Sequence, residues 1–572
     1  MNIIEVACGE KGNREVYAMN KAMPIGRDDF AEVRQGFYFV DKSAIIGALL
    51  QDTAKVTLFT RPRRFGKTLL MSMLRYFFDV EDAEEHKKLF AGLAVSRDAE
   101  AMQQQGTRPV LFLTLKGWKA NTWTDMQEVI KDALGRIFDE YDFLLHAPTL
   151  TQREQEVFSA IQMGTANIVA YRNALSFLLH VMEEYYGKKP VLLLDEYDVP
   201  IQTAWERHHY DDAIDFFREF LSSALKTNAS LDFAVLTGVL RIAKESIFSS
   251  LNNLKVDSIL EMQYPEAFGF TLAEVEQMAA ALGREDKLPE IREWYDGYRF
   301  NGVEIYNPWS VVNYFDRGCK LGAYWVNTSG NAIIGALMQR TDREHFESLE
   351  GLLQGGTVQG YLREGVIYSD IGEDEDALYT MLCTTGYLTV ADTVWEGMET
   401  RYELRLPNRE MLVLFTVEVL KRFQHGLSKT YVGKIMQAFL HGDADRVQSG
   451  LSRYLEVLAS TFDTAKGKEA FYHGFVLGMT AILVPNYEVQ SNRESGYGRY
   501  DIAVFPKQPG GTGLVLEFKT ADSEDQLAAK AQEALQQIAQ RDYAAAFRTR
   551  GVQQVYRYGI AFCGKQVRVE VA

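Results

Sequence analysis

The chain has few cysteines and no stretch that resembles a membrane anchor. Its 572 residues include four cysteines, which are widely scattered and form no C-x-x-C pair: Cys8, Cys319, Cys383 and Cys563. This spacing argues against a disulfide framework and a zinc knuckle, and it favours a reducing, cytoplasmic location. The start of the chain lacks a basic segment followed by a long apolar run, and no run is long and uncharged enough to span a bilayer. We therefore expect no signal peptide and no membrane partner.

Positive charge is also scarce. The chain carries 61 lysines and arginines against 78 aspartates and glutamates, a formal net charge of −17. A non-specific nucleic-acid binder needs concentrated positive charge, so this balance argues against that class but leaves room for a local basic channel. Internal repeats and low-complexity tracts are absent as well. The length and an apolar content of 47% predict about two to four domains with large buried cores.

A basic loop that ends in Gly-Lys-Thr lies between an apolar strand-like run at 56–60 and a helix-like run at 69–78. The loop matches the phosphate-loop pattern G-x-x-x-x-G-K-[ST], except that Arg61 replaces its first glycine. Gly66 would let the backbone approach a phosphate, and Lys67 would reach the terminal phosphates of a nucleotide. We predict nucleotide contacts from the whole loop: Arg61, Arg63, Arg64, Phe65, Gly66, Lys67 and Thr68. Thr68 is also a predicted magnesium ligand.

An acidic pair follows a second apolar run, Pro190–Leu194, which fits a strand buried on both faces of a parallel sheet. Asp195 would orient magnesium and its waters, and Glu196 would polarise the attacking water in nucleotide hydrolysis. The alternative is that Asp195, Glu196 and Asp198 cap a helix or face solvent. The Gly-Lys-Thr loop upstream favours the nucleotide interpretation.

A third apolar run, at 232–236, ends in Thr237, whose hydroxyl could sense the terminal phosphate. Arg241 follows shortly afterwards and could stabilise charge in the transition state. The alternative is a structural turn followed by a surface arginine. With one more apolar run at 110–115, the pattern predicts an α/β fold with an open parallel sheet of the P-loop NTPase type. Nucleotide is expected at the carboxyl ends of the strands.

These three motifs, together with Pro24–Ala31 and Tyr38–Ser43, resemble the bacterial AAA-ATPase-like family over roughly residues 22–320. The resemblance implies ATP as ligand, and members of that family tolerate the R-P-R-R-F-G-K-T form of the loop. The predicted organisation is a leader (1–21), a P-loop core (22–265), a helical lid (266–345) and a connecting domain (346–440). Thr271 and Glu274 predict a capped helix start in the lid. The lid aromatics, at 294–298 and 306–309, would form its core or clamp the base.

The connecting domain carries no recognisable chemistry. Short strands are predicted at Tyr379–Leu382 and Tyr387–Val390 beside an acidic segment, and a winged-helix-like arrangement is one option.

A second acidic site is predicted near the end of the chain. Asp501 begins one strand of a hairpin, and Glu517 and Lys519 lie near the end of the other. Because side chains alternate across a strand, Glu517 and Lys519 share a face. Two carboxylates at a bent sheet can bind magnesium, and Lys519 could position a water or stabilise the transition state. The alternatives are that Asp501 is a turn residue and that Glu517 and Lys519 form a surface ion pair.

The order of these residues resembles the D…E-x-K core of the PD-(D/E)xK nuclease superfamily, which implies a restriction-endonuclease-like α/β domain over residues 441–572. By that resemblance Glu469 is a further metal ligand, and Gln536 supports the site with Tyr543 near it. His473 fits a core position better than a ligand. Three further charged residues would contact DNA phosphates or pair with one another: Arg493, Glu494 and Arg499.

Taken together, the motifs predict ATP binding or hydrolysis coupled to a magnesium-dependent nuclease acting on DNA or another nucleic acid. A homo-oligomer is compatible with this function. One alternative is a nucleotide-dependent signalling switch with a non-catalytic nuclease-like module. Another is a remodelling ATPase that acts on proteins.

Overall fold

The computed structural model of the chain divides into two compact units, Met1–Gly322 and Ala323–Ala572. The structure describes residues 22–241, 253–260, 263–325, 348, 352, 355–363, 365, 374–397, 399–415, 429–459, 472, 476, 479–480, 483, 486–491, 494–495, 498–541, 543 and 545–572. No helix within these ranges is long and apolar enough to cross a membrane.

The first unit is built on a five-stranded parallel sheet with the strand order β2-β3-β4-β1-β5. Its strands are β1 (Val56–Thr60), β2 (Val110–Thr114), β3 (Val191–Asp195), β4 (Ala234–Gly238) and β5 (Leu254–Asp257). Every residue of β1, β3 and β4 is buried, because helices cover both faces of a parallel sheet. The predicted parallel α/β sheet is confirmed. Since β4 lies between β1 and β3, its carboxyl end separates the basic loop from the acidic turn.

The helices described in this unit are α1 (Phe30–Gly36), α2 (Ala44–Gln51), α3 (Lys67–Phe78), α4 (Ala83–Leu89), α5 (Ala99–Gln103), α6 (Trp123–Glu140), α7 (Gln152–Gln162), α8 (Ile168–Arg172), α9 (Ala174–Tyr186), α10 (Val199–Glu206), α11 (Tyr210–Leu225), α12 (Leu272–Ala281), α13 (Leu288–Tyr295) and α14 (Pro308–Asp316). A short hairpin, β6 (Tyr298–Phe300) and β7 (Val303–Ile305), connects α13 to α14.

The predicted capped helix start at Thr271 is confirmed in detail. Thr271 accepts a hydrogen bond from the Glu274 amide, and the Glu274 carboxylate accepts one from the Thr271 amide at 2.8 Å. This reciprocal capping box satisfies two amides that the helix itself leaves unpaired. The nearby aromatics belong to the core, since four of them are at least nine-tenths buried: Trp294, Tyr295, Tyr298 and Tyr306.

The second unit begins with a three-stranded antiparallel sheet of β8 (Val358–Gly360), β9 (Thr389–Glu396) and β10 (Glu399–Arg405), in the order β8-β10-β9. The strand predicted at Tyr379–Leu382 is wrong, because these residues lie in helix α15 (Glu375–Thr384), which Asp374 caps. A short apolar run does not distinguish a buried strand from a buried helix, and here every residue from Ala377 to Cys383 is buried.

The rest of the unit is a mixed sheet in the order β11-β14-β15-β16-β17, in which only β15 and β16 run parallel. The remaining strands are β11 (Tyr487–Ser491), β12 (Glu494–Ser495), β13 (Gly498–Arg499), β14 (Ile502–Pro506), β15 (Thr512–Thr520), β16 (Gln554–Cys563) and β17 (Gln566–Val571). The helices are α16 (Lys429–Leu440), α17 (Ala444–Ala459), α18 (Leu527–Gln540) and α19 (Ala545–Thr549).

Helices α16 and α17 are tied to this sheet. Tyr558 donates its hydroxyl hydrogen to the Phe439 carbonyl at 2.9 Å, and the Val569 amide donates to Gln448 Oε1 at 3.1 Å. Helix α16 therefore contacts the sheet although it precedes the predicted domain start at residue 441. The predicted α/β character of the C-terminal part is confirmed.

Candidate functional sites

The basic loop has the shape of a phosphate loop. Gly66 adopts a left-handed backbone with φ of 88°, which favours glycine, and helix α3 starts immediately after it. Lys67 is buried, and its Nζ donates to the carbonyls of Arg61 at 3.0 Å and Pro62 at 2.9 Å. The amino end of α3 therefore faces the loop that encloses the lysine. Such an end attracts anions.

A continuous set of hydrogen bonds joins the three predicted motifs. Thr68 donates from Oγ1 to Asp195 Oδ2 at 2.8 Å, and Thr237 donates from Oγ1 to Asp195 Oδ1. Asp195 and Thr237 are completely buried. The structure thus brings together residues that are 127 and 42 positions apart in the chain.

Glu196 sits beside this set in a left-handed backbone conformation with φ of 54°. Its amide donates to Thr237 Oγ1 at 3.4 Å. Burial and the neighbouring charge of Asp195 raise the pKa of Glu196, which makes the carboxylate a better proton acceptor once ionised.

Arg61 requires a correction. Its guanidinium is completely buried and forms an ion pair with Asp257, and it also donates to the Asp257 carbonyl at 2.6 Å. It lies 4.7 Å from the ring centre of Phe268. Because its charge is already neutralised inside the domain, we assign Arg61 a structural role and not the predicted phosphate contact. Only its backbone carbonyl faces Lys67.

The other loop residues differ in their environments. Arg63 donates to Gln202 Oε1 at 2.8 Å, on helix α10. Arg64 is exposed, with φ of 70°, and its guanidinium carbon lies 4.3 Å from the ring centre of Trp309 on α14. Phe65 is buried against the β6–β7 hairpin, with its ring centre 5.1 Å from that of Tyr298. The loop backbone and Lys67 are thus positioned for phosphate, whereas Phe65 is a packing residue.

Arg241 lies three residues after the end of β4 and is partly buried. Residues 242–252, which follow it, are outside the described part of the chain. The role predicted for Arg241 stays a prediction.

Sequence reasoning missed the residue that fastens the acidic turn to the end of β4. Asp198 is buried, and its Oδ2 accepts hydrogen bonds from the amides of Val239 at 2.8 Å and Leu240 at 3.0 Å. Tyr197 donates its hydroxyl hydrogen to the Leu240 carbonyl at 2.6 Å. The feature of the sequence that could have indicated this role is the second aspartate of the D-E-Y-D motif, three positions after Asp195.

The C-terminal acids also come together. The antiparallel register pairs Ile502 with Leu516, so Asp501 is opposite Glu517 at the end of the paired segment. Asp501 Oδ2 accepts a hydrogen bond from the Phe518 amide at 2.6 Å. Lys519 Nζ lies 3.5 Å from Glu517 Oε1. Glu517 is only 2% exposed, which argues against the alternative of a surface ion pair.

The environment of Glu517 disfavours the ionised form of its carboxyl group. Burial, and then the charge of Asp501, raises the pKa of Glu517 to about 8, while Lys519 opposes this shift. Two carboxylates that face each other with little solvent favour a cation between them.

The supporting amide is Gln537 and not Gln536, which is a second correction. Gln537 donates from Nε2 to Glu517 Oε1 and lies 3.3 Å from the Tyr543 hydroxyl. Gln536 is exposed. The helical period indicates which glutamine faces the site, because Gln537 is three residues after the buried Ala534 and therefore on the inner face of α18. Tyr543 is near the site, as predicted.

Several predicted residues cannot be placed. Glu469, His473 and Arg493 lie outside the described residues. Glu494 and Arg499 belong to β12 and β13, whose backbones are opposite each other at these two positions; the predicted roles of their side chains stay predictions. Among the described residues, no group of three acids, histidines or cysteines is arranged to hold a metal ion.

The residues present nevertheless fit magnesium at both centres. Near the C-terminus, Glu517 Oε2 is buried, and within the described residues it has no hydrogen-bond partner. An unpartnered carboxylate oxygen beside a second carboxylate is a suitable donor set for a hard cation. At the first centre, the Thr68 hydroxyl and the Asp195 carboxylate supply adjacent oxygens.

Comparison with known proteins agrees with these two centres. Residues 24–248 match the family model of predicted AAA-ATPases, and residues 467–571 match the model of the PD-(D/E)XK nuclease superfamily. The chain is 26% identical over 555 residues to an uncharacterized protein in the vnfD 5′ region of Azotobacter chroococcum mcd 1, covering 95% of this chain and 96% of that protein. No solved structure matches the chain. The chain therefore contains a predicted AAA-ATPase domain and, C-terminal to it, a domain of the PD-(D/E)XK nuclease superfamily.

Proposed function

We propose that this protein binds and hydrolyses ATP, and that the ATP site controls a magnesium-dependent nuclease acting on DNA or another nucleic acid. The observation that carries the proposal is the assembly of two acidic centres in one chain, each of which the fold builds from separate elements. One joins Thr68, Asp195 and Thr237, and the other joins Asp501 and Glu517.

At the first centre, Lys67 would exchange its two loop carbonyls for phosphate oxygens of ATP. Those carbonyl bonds hold the ammonium at the loop, so a small movement is enough. Thr68 and Asp195 would hold magnesium through oxygen. Glu196 would orient water and accept its proton, and Thr237 would fix the orientation of the Asp195 carboxylate.

At the second centre, Asp501 and Glu517 would hold magnesium. Bound magnesium supplies positive charge for a phosphodiester and lowers the pKa of a coordinated water. Gln537 fixes the Glu517 carboxylate from the side of helix α18. Lys519 is close enough to hold a water or to donate to a phosphate oxygen as charge develops there.

The nuclease is tested by magnesium-dependent cleavage of DNA and RNA with two lysine variants. Lys519→Ala removes the ammonium beside Glu517, and we expect the cleavage rate to fall about a hundredfold or more. Lys530→Ala is the matched control, because Lys530 is an exposed lysine on α18 that pairs with Glu533. We expect its rate to stay within about twofold of wild type.

Undiminished cleavage by Lys519→Ala would exclude the proposed site. If wild type cleaves no nucleic acid but still binds ATP, the result would favour a nucleotide-dependent switch with a non-catalytic nuclease-like module.

A further inference from the structure

The turn after β3 is attached to the segment after β4 at several points. Asp198 Oδ2 accepts hydrogen bonds from the amides of Val239 and Leu240. The Tyr197 hydroxyl donates to the Leu240 carbonyl. The Tyr197 amide also donates to the Thr237 carbonyl at 3.0 Å. The backbone from Thr237 to Leu240 is therefore held by the acidic turn itself.

This attachment needs the close approach that Gly238 permits. A Cβ atom on Gly238 would lie 2.6 Å from the Tyr197 ring and 2.9 Å from Asp198 Oδ1. The Gly238 carbonyl also accepts the Arg61 amide at 3.1 Å, which connects the same segment to the phosphate loop. The loop, the acidic turn and the end of β4 thus meet around one glycine.

The phosphate loop reaches the same segment through its backbone. Lys67 Nζ donates to the Arg61 carbonyl at 3.0 Å, and the Arg61 amide donates to the Gly238 carbonyl at 3.1 Å. Gly238 immediately precedes Val239, whose amide donates to Asp198 Oδ2. The other carboxylate oxygen, Oδ1, is buried and, among the described residues, has no hydrogen-bond partner.

This connection depends on whether Lys67 is engaged with a phosphate. In the arrangement described, Lys67 donates to two loop carbonyls, one of them that of Arg61. A bound phosphate would compete with these carbonyls for the ammonium, and a shift of the Arg61 backbone would be passed to Gly238 through the Arg61 amide. The charge-assisted hydrogen bonds from Val239 and Leu240 to Asp198 would hold the next residues in register with it.

We propose that Asp198 is a positioning residue: it fastens the backbone between Thr237 and Arg241, which the Arg61 amide connects to Lys67 of the phosphate loop. This role rests on the proposed ATP site and adds a route by which nucleotide occupancy changes the backbone after β4. Asp198 itself touches no reacting atom.

The test combines hydrogen exchange with kinetics on the full-length protein. Asp198→Asn keeps the shape but removes the charge. Exchange at the Val239 and Leu240 amides should be faster than in wild type without nucleotide, and ATP should slow it in wild type but not in the variant. The kcat for ATP hydrolysis should fall about tenfold while the dissociation constant for a fluorescent ATP analogue changes less than about threefold.

Asp98→Asn is the matched control, because Asp98 also accepts a backbone amide, that of Ala101, at the start of helix α5. It should match wild type in every readout. If Asp198→Asn is poorly folded, Tyr197→Phe replaces it, since that change removes only the bond to Leu240 and should give a weaker effect of the same sign.

Two results would overturn the proposal: a kcat and exchange pattern equal to wild type, or equal losses of ATP affinity and kcat together with a lower melting temperature. A wild-type protein that neither binds nor hydrolyses ATP would refute the proposed function instead. The nucleotide-free exchange of Val239 and Leu240 would still show whether Asp198 holds this segment.

Discussion

Individual side chains at both centres lie in environments that suit the proposed chemistry but lower the stability of the fold. Glu517 is the clearest case, because a buried carboxylate faces Asp501 and has one oxygen without a partner among the described residues. A buried charge that lacks a full set of partners lowers the stability of a fold. Functional sites commonly reduce the stability of a protein in this way.

Glu517→Gln should therefore stabilise the metal-free protein. The substitution removes the charge, while its side-chain oxygen can still accept from Gln537. The pKa of Glu517 is raised from 4.5 to about 8 in the folded state, so wild type loses stability as the pH rises through that range. At pH 9 with EDTA, we expect the variant to be more stable by about 1–3 kcal/mol in urea unfolding.

With magnesium, we expect the opposite order of stability for wild type and Glu517→Gln. Added magnesium should raise the unfolding midpoint of wild type and leave that of Glu517→Gln nearly unchanged, because a neutral amide is a weak magnesium ligand. A variant that is less stable than wild type at pH 9, or that gains equally from magnesium, would contradict the assignment of Glu517.

At the scale of elements, the position of helix α18 on the sheet sets the geometry around Glu517 in the nuclease-superfamily domain. Gly559 on β16 lies under this helix, and a Cβ atom there would overlap the Ala531 carbonyl and lie 2.6 Å from the Leu535 amide. The helix backbone can approach the strand this closely only because residue 559 has no side chain. Gln537 lies two residues beyond Leu535 on the same helix and donates to Glu517.

Gly559→Ala should move α18 away from β16 and displace Gln537. Overpacking of this kind costs about 1–3 kcal/mol, so we expect a lower melting temperature together with a loss of cleavage. Gly117→Ala is the control, since a Cβ at Gly117 meets no atom within 4 Å. Full nuclease activity in Gly559→Ala would show that the helix position does not matter to the site.

Most of the elements could be predicted from local patterns. The buried strands, the Thr271–Glu274 capping box and helix α18 follow from apolar runs, cap chemistry and helical period. The helix at 375–384 could not, because a short apolar run fits either a buried strand or a buried helix. The choice between Gln536 and Gln537 depends on which face of α18 meets the sheet, which the period indicates but the motif order does not.

Residues that act through tertiary contacts were the least predictable. Arg61 was expected to face phosphate because it is charged and lies in a basic loop, yet its partner Asp257 is 196 positions away. Asp198 acts on Val239 and Leu240, more than 40 positions later in the chain. No local pattern encodes pairings over such distances.

At the scale of the whole molecule, one chain carries domains of two families. The predicted AAA-ATPase domain and the nuclease-superfamily domain occupy residues 24–248 and 467–571. We propose that the first controls the second, which goes beyond the assignment of either site alone.

The most direct test is the rate of magnesium-dependent DNA cleavage with and without ATP, for wild type and for Lys67→Ala. We predict that ATP changes the wild-type rate by about tenfold or more and leaves the Lys67→Ala rate unchanged, since Lys67 is the phosphate-loop cation. Cleavage by wild type that is identical with and without ATP, or an ATP response that survives in Lys67→Ala, would contradict control of the nuclease by the phosphate loop.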